Sequence, residues 1–239
     1  MNKLLSTITE NYKPGEPFLL ENIGNDMKYA NLCQQMKKLV DAGSICRYMD
    51  GVYYLPKKTV SGIPYSISAD TVAELKYIRN RKEEYGCYTG HTLASLMGLS
   101  EQVPVTKEIV SNRASAITRN VRVGAFNYII RKSAVKLTKE NVRAVMLLEV
   151  LKDIDNLVDI HIDASEPLKK FITSNRIKKS IIDTVLPFYP LRTYKAIYDL
   201  ELYRVFLHED KEVFTTRTTG TTKSMPLSNC RAESGVPSR

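Results

Sequence analysis

Amide and basic side chains recur along residues 28–48 at positions suited to contacting nucleic acid. Leu32, Met36 and Leu39 follow helical spacing and predict one buried face of a helix. The polar residues fall mostly on the opposite side, where they suit base edges and phosphates, although a merely solvated face is the alternative explanation. The predicted DNA-contacting residues are Lys28, Tyr29, Asn31, Gln34, Gln35 and Lys38 on the helix, and Arg47 and Tyr48 after it.

Patterns typical of catalytic and metal sites are missing from the sequence. It holds His91, His161 and His208, but no HExxH, GxSxG, P-loop or GxGxxG motif. Aspartates between residues 153 and 163 flank predicted helix ends, where aspartate commonly serves as a cap. We therefore expect no enzymatic activity, no metal and no cofactor. A metal-dependent nucleic-acid enzyme that uses Asp153 or Asp159 is an alternative.

A second group of basic residues follows in the later part of the chain. The net charge is +9, of which residues 1–60 contribute +2, so residues 61–239 carry +7. This excess favours a polyanionic partner or an acidic protein, although a solvated surface is the simpler explanation. The candidates for a surface that contacts such a protein partner, or a second stretch of DNA, are Arg119, Arg122, Arg131 and Lys132.

The polar helix belongs to a pattern of elements in residues 1–60. Gly43 ends the predicted helix, and Asp50-Gly51 indicates a tight turn between two short β-prone segments. Upstream, residues 2–11 predict a first helix and residues 18–23 a short second helix. Three helices followed by a hairpin predict a winged helix-turn-helix domain, with the polar helix as the recognition helix and the hairpin as the wing.

The rest of the chain predicts a linker, a mixed α+β domain and a tail. Residues 61–84 contain proline, glycine and a helix over 69–84 that connects the domains. Residues 85–214 predict a helix at 90–97, strands at 107–111, 116–123 and 125–131, and a helix at 139–152 capped by Thr138. Helices at 166–173, 176–185 and 191–203 follow, and His161 lies in an extended segment. The threonine-rich residues 215–239 predict disorder. The predicted fold class is α+β.

Cysteine usage and hydropathy favour a cytoplasmic protein. The four cysteines show no CxxC spacing, which indicates reduced thiols rather than a disulfide framework. No apolar segment approaches the length of a membrane-spanning helix, and the N-terminus lacks the apolar core of a signal peptide. We therefore expect no membrane association.

Three segments carry a further pattern: residues 42–56, 88–104 and 189–196. In this order and spacing they resemble the AbiEi-type antitoxins of bacterial type IV toxin–antitoxin, or abortive infection, systems. Residues 42–56 are similar to the family's pattern of helix, glycine, basic strand, glycine and Tyr-Tyr-Leu-Pro. Residues 88–104 resemble its element of glycine, small residues and alanine followed by Gly-Leu and Gln-Val-Pro, and residues 189–196 resemble a Tyr-Pro-x-Arg helix start. The recognition helix matches only in part, since Lys28 and Lys38 replace the usual alanine-rich and arginine-rich sequence.

The resemblance implies two roles for the chain. The winged helix would bind inverted repeats of double-stranded DNA in its own promoter and repress the operon. The second domain would counteract a cognate nucleotidyltransferase-like toxin without necessarily forming a stable complex. An ordinary winged-helix transcriptional regulator with an effector-binding domain is the main alternative.

Overall fold

The computed structural model describes residues 3–23 and 27–206 of the chain. Over these residues the protein is a mixed α+β fold with two β-sheets, as the sequence predicts. The predicted disordered tail, residues 215–239, lies outside the described residues, as does His208. Among the described residues, no helix has the length and apolar composition needed to cross a membrane.

Helices and a three-stranded sheet form the N-terminal part. Its elements are α1 (Lys3–Asn11), β1 (Pro17–Leu19), α2 (Tyr29–Asp41), β2 (Cys46–Met49) and β3 (Val52–Tyr54). β3 lies in the centre of the sheet and pairs antiparallel with both β1 and β2. Buried side chains of α1 and α2, including Ile8 and Met36, pack with Phe18 from β1 to form a local core.

The predicted short helix at residues 18–23 is wrong. Phe18 pairs with Tyr53 and Leu19 with Val52 in the sheet, and only Leu20–Asn22 is helical, as a single 3-10 turn. A short run of apolar residues fits a helix or a strand equally well, so its periodicity does not choose between them. Pairing with β3 decides the conformation here.

The predicted end of α2 and the predicted hairpin are both confirmed. Gly43 has a φ of +69°, and its amide donates to the Val40 carbonyl at 2.9 Å. The Ser44 amide donates to the Leu39 carbonyl at 3.0 Å, which completes a Schellman motif. The Asp50-Gly51 turn then joins β2 to β3. The glycine end and the tight turn are both visible in the local sequence.

The connecting helix is shorter than predicted and belongs to a hydrophobic core. α3 spans Ala69–Tyr77, and a bridge between Arg79 and Glu84 replaces the remainder of the predicted helix. Val72 and Tyr77 are buried against the second sheet, so α3 is more than a connector between domains.

A four-stranded mixed sheet forms the centre of the second part. Its elements are β4 (Gly86–Thr89), α4 (Gly90–Leu96), β5 (Lys107–Ser111), β6 (Thr118–Val123) and β7 (Phe126–Lys132). The strand order is β4-β5-β7-β6, with β5 and β7 parallel and the other pairs antiparallel. The predicted strands are confirmed, with small shifts in where β6 and β7 begin.

Helices follow this sheet in the chain and continue to residue 206, and the first of them packs against β4. They are α5 (Val142–Leu151), α6 (Ile154–Leu157), α7 (Ser165–Ser174), α8 (Lys179–Val185) and α9 (Leu191–Asp199), followed by helical residues 202–206. α5 is buried along nearly its whole length. It begins at Val142 rather than at 139, after a turn at residues 139–141 in which the Val142 amide donates to the Thr138 carbonyl at 3.0 Å. The helix predicted at 191–203 is broken at Leu200 and Glu201.

The N-terminal part and the second part share a hydrophobic cluster. Leu19 and Val52 from the first sheet pack in one group with Val72 of α3 and with Ile109 and Tyr128 of the second sheet. All five side chains are buried. Apolar packing therefore extends across the predicted linker between residues 1–60 and 85–214.

Candidate nucleic-acid interface

The outer face of α2 carries exposed polar and basic side chains. Asn31, Gln34 and Lys38 are exposed as predicted, while Leu32 and Met36 face the core. Lys28 and Tyr29 are exposed at the start of the helix, Tyr29 to 72%. The structure thus brings most of the predicted helical contacts onto one solvent-facing surface.

Gln35 differs from the other predicted helical contacts because it is half-buried. Its Nε2 lies 3.4 Å from the Met27 sulfur, which turns the amide toward the flank of the helix. The neighbouring Lys37, absent from the predicted set, is exposed instead. Its spacing of three residues from Gln34 places it on the same arc, and that spacing is the signal that could have identified it.

The electrostatic character of this face is positive. Lys28, Lys37 and Lys38 form no ion pair with any described residue, and Asp41 is the acidic residue of the helix. Unpaired lysines on an exposed face attract phosphates and release counterions when they bind them. We define the α2 face as Lys28, Asn31, Gln34, Lys37 and Lys38.

The hairpin does not project freely into solvent. Arg47 is exposed but forms an ion pair with Asp50 across the turn. Tyr48 is half-buried, and its hydroxyl lies close to Gly124 in the turn between β6 and β7. Of the two predicted contacts in the hairpin, Arg47 faces solvent, while Tyr48 helps to hold the hairpin against the second part of the chain.

A groove of about 820 Å³ lies beside the hairpin. The turn of the hairpin, the end of α3 and the edge strand β6 form its walls. Arg119 and Arg122 line the groove together with Tyr29, which joins two predicted residues of the second part to one from α2. Lys76 and Arg113 add positive charge to the lining, so this groove is basic as well as partly aromatic.

Arg113 fixes one wall of the groove in place. It forms an ion pair with Glu21 at 2.8 Å and lies 3.9 Å from the centroid of the Tyr85 ring. Burial raises the pKa of the Tyr85 phenol, although the charge of Arg113 partly opposes that rise. Arg113 thus links the second part of the chain to the N-terminal part. The sequence did not predict this role.

Arg131 and Lys132 do not join Arg119 and Arg122 in the groove. Arg131 pairs with Thr118 across the sheet, whereas Arg119 pairs with Ile130, so the two arginines occupy opposite faces. Arg131 forms an ion pair with Glu108 at 2.7 Å. Lys132 is exposed at the end of β7. The four predicted cations therefore do not form a single patch.

The aspartates that suggested nuclease chemistry have structural partners. Asp153 forms an ion pair with Arg192 at 2.7 Å. The Asp159 carboxylate accepts from the Ser100 hydroxyl at 3.1 Å and from the Glu101 amide at 2.7 Å. Asp163 accepts from the Ser165 amide at 2.9 Å, at the start of α7. Within residues 3–23 and 27–206, no three potential metal ligands come together.

The two histidines within the described chain occupy unrelated places. His91 is exposed near the start of α4 and borders a small polar cavity. His161 lies in an exposed turn, with Nε2 3.6 Å from Glu101, so its predicted extended segment is wrong.

Glu149 forms the most buried ionic contact among the described residues. Its carboxylate accepts from the Thr89 hydroxyl at 2.6 Å and the Tyr189 hydroxyl at 2.9 Å, and it pairs with Lys152 at 2.5 Å. Burial and the neighbouring Glu149 charge raise the pKa of Tyr189. Each carboxylate oxygen has partners, so this cluster connects β4, α5 and the segment before α9 without leaving a free reactive group.

Comparison with known proteins adds no assignment to this geometry. No protein-family model matches the chain, and no curated protein matches it.

Proposed function

We propose that this chain binds duplex DNA through the α2 face. The observation that carries the proposal is the exposed, amide-rich and lysine-rich surface of a helix whose other face is buried. The order of elements supports it: α1, β1, a short helical turn, α2 and a hairpin, with β1 paired to β3. That order is typical of a winged helix-turn-helix.

The chemistry of the α2 face divides into base contacts and phosphate contacts. The amides of Asn31 and Gln34 can each donate and accept, which suits the edge of adenine in the major groove. Lys28, Lys37 and Lys38 supply positive charge to phosphates. At thirteen residues, α2 is about 20 Å long, which is sufficient to lie in a major groove.

We further propose that the chain is an antitoxin of the type IV class that represses its own operon. The support for this proposal is the resemblance of residues 42–56, 88–104 and 189–196 to that family. Gly90 has a φ of +57° at the start of α4, and a Cβ there would lie 2.8 Å from the Glu108 carboxylate. Tyr189 and Arg192 anchor the segment around α9 through Glu149 and Asp153. The second role of this antitoxin is to counteract a nucleotidyltransferase-like toxin.

An effector-regulated transcription factor is the second candidate. The observation that favours it is the groove of about 820 Å³ between the hairpin and β6. A small anionic ligand in this groove would contact cations of α3 and β6, with Tyr29 from α2 beside it. Such a ligand would alter DNA affinity, whereas an antitoxin requires no effector for repression.

The test combines DNA binding with rescue from toxicity. We expect the chain to bind DNA upstream of its own gene, as measured by fluorescence anisotropy, and Asn31→Ala/Gln34→Ala/Lys38→Ala to abolish specific binding. Lys170→Ala, which removes a charge from α7, is the matched control. Co-expression with the product of the adjacent gene tests antitoxicity. Operator affinity unchanged in the folded triple variant would exclude the α2 face.

A further inference from the structure

Two cations of the groove between the hairpin and β6 lack a carboxylate partner. Lys76 is half-buried in the last turn of α3, and Arg119 extends from the edge strand β6. Neither forms an ion pair with a described residue, although the Arg119 guanidinium donates to the Ser115 hydroxyl at 3.2 Å. Because the low-dielectric walls of a cleft focus the field of its charges, these cations favour an anionic ligand.

The carboxylates in the lining of the groove are engaged by other arginines. Glu21 forms an ion pair with Arg113 at 2.8 Å, and Asp50 forms one with Arg47. The two acidic groups are therefore neutralised by cations of their own. The charges on α3 and β6 remain available for a ligand.

Aromatic rings lie beside these cations. Tyr29, which is 72% exposed, borders the groove from the start of α2, and Tyr77 borders it from α3. The Lys76 ammonium lies 5.7 Å from the centroid of the Tyr77 ring. Burial raises the pKa of the Tyr77 phenol, and the nearby charge of Arg119 partly opposes that rise. An accessible ring next to unpaired cations suits a ligand that carries both an aromatic base and a phosphate.

Arg122 also borders the groove, but from the other face of the strand. It follows Arg119 by three positions on β6, so the two side chains leave the sheet in opposite directions. Its Nε donates to the Gly124 carbonyl at 3.3 Å. We define the groove site as Tyr29, Lys76, Tyr77 and Arg119.

We propose that the groove site binds a nucleotide, with the phosphate on Lys76 and Arg119 and the base stacked on Tyr29. The volume of about 820 Å³ lies within the ~300–1,000 Å³ range of small-molecule sites, which favour the boundary between two parts of a protein. A free mononucleotide and an unpaired nucleotide at the end of a strand share this chemistry. The proposal rests on the groove of the second candidate function and gives it a ligand class. It is independent of DNA binding by the α2 face.

Titration of the full chain with adenosine monophosphate, followed by heteronuclear NMR without DNA, tests the proposal. We expect resonance shifts around the groove site and a dissociation constant below about 1 mM. Adenosine, which lacks the phosphate, and ribose 5-phosphate, which lacks the base, should each bind weaker by roughly tenfold or more. A 5′-phosphorylated single-stranded oligonucleotide distinguishes the two sources: tighter binding than adenosine monophosphate indicates a strand end, and equal or weaker binding indicates a free nucleotide.

Substitutions separate the two halves of the groove site. We expect Tyr29→Ala and Arg119→Ala each to weaken binding of adenosine monophosphate by roughly tenfold, because one removes the stacking surface and the other a phosphate contact. Tyr198→Ala, at a tyrosine of 71% exposure on α9, and Lys132→Ala, at the end of β7, are the matched controls. Both controls should leave the affinity unchanged.

Three results would overturn the proposal. The first is the absence of resonance shifts at about 10 mM adenosine monophosphate. The second is inorganic phosphate that binds as tightly as the nucleotide, since this would show that the base plays no part. The third is an affinity like that of the parent chain in both Tyr29→Ala and Arg119→Ala. None of these results bears on the α2 face, whose test uses duplex DNA.

Discussion

Lys38 and Gln34 share the exposed arc of α2, yet they should affect DNA binding in different ways. Lys38→Ala removes one phosphate contact, so binding to every sequence weakens and the salt slope falls by about one. Gln34→Ala removes a base contact and costs roughly 1–3 kcal/mol on the preferred sequence only. Anisotropy over a salt series, with specific and random duplexes, separates these effects.

Gln35→Ala serves as the internal control for this pair. The Gln35 amide is engaged near the Met27 sulfur, so we expect a smaller loss of specific affinity than for Gln34→Ala. Equal losses for the two variants would contradict the assignment of the α2 face.

Asp70 should give the fold a measurable sensitivity to acid. Burial opposes its ionisation, but hydrogen bonds from Lys107 at 2.5 Å and Tyr128 at 2.6 Å prevail, and its pKa lies below the ordinary 3.8. The folded carboxyl is more acidic than the unfolded one. Its contribution to stability is therefore complete well above pH 3.8 and is lost as the pH falls through the lower folded pKa.

We expect Asp70→Asn to reduce the free energy of unfolding at neutral pH by roughly 0.5–1 kcal/mol, a modest value because the pair is partly exposed. Urea unfolding at neutral pH and at about pH 2 measures this loss. The difference in unfolding free energy between the variant and the parent chain should shrink in acid. A difference independent of pH would show that charge plays no part.

Glu149 connects elements that are distant in sequence, and its removal should loosen them together. Glu149→Ala leaves Thr89, Tyr189 and Lys152 without their acceptor in a buried place, so we expect a loss of roughly 3 kcal/mol of stability. Glu166→Ala breaks an equally spaced but exposed pair with Lys169 and should cost less than about 0.5 kcal/mol. Urea denaturation compares the two variants.

A similar loss of unfolding free energy in Glu149→Ala and Glu166→Ala would show that the buried cluster does not stabilise the fold more than an exposed ion pair does. Heteronuclear NMR adds a second measurement, because Glu149→Ala should shift resonances in β4, α5 and the residues before α9. Shifts confined to α5 would show that the cluster does not link these elements.

At the scale of the whole molecule, the two predicted roles should be separable, but at a cost in stability. A fragment of residues 61–239 lacks α2, so we expect no operator binding and retained rescue from the toxin. It also lacks Leu19 and Val52, which belong to the hydrophobic cluster shared by the two parts of the chain. Burying each such side chain contributes about 1.5–3 kcal/mol, so the fragment should unfold at a lower temperature than the full chain.

Differential scanning calorimetry and the rescue assay measure both outcomes. Removing residues 215–239 is the matched truncation and should leave DNA binding and rescue nearly unchanged. Full rescue by residues 1–60 alone would refute the assignment of antitoxicity to the second part.

Local signals in the sequence determined α2, its glycine end and the following hairpin. They also determined three strands of the second sheet, β5, β6 and β7, and the α+β class, whereas β4 was not predicted. In each case the signal lies within a few residues: helical spacing of Leu32 and Met36, a glycine with positive φ, or an Asp-Gly turn. The polar side of α2 was predictable for the same reason, except that Gln35 is half-buried and Lys37 is exposed in its place.

Tertiary structure decided the features that depend on distant partners. Residues 17–19 are a strand because β3 offers them backbone hydrogen bonds, and α3 ends early because the chain turns at Arg79 to enter β4. Strand pairing also separated Arg131 from Arg119, since side chains one register apart point to opposite faces of a sheet. The hairpin likewise packs on the second part, where Tyr48 meets Gly124. Apart from the short Arg79–Glu84 bridge, these contacts have no signature in sequence spacing, because the residues involved lie far apart along the chain.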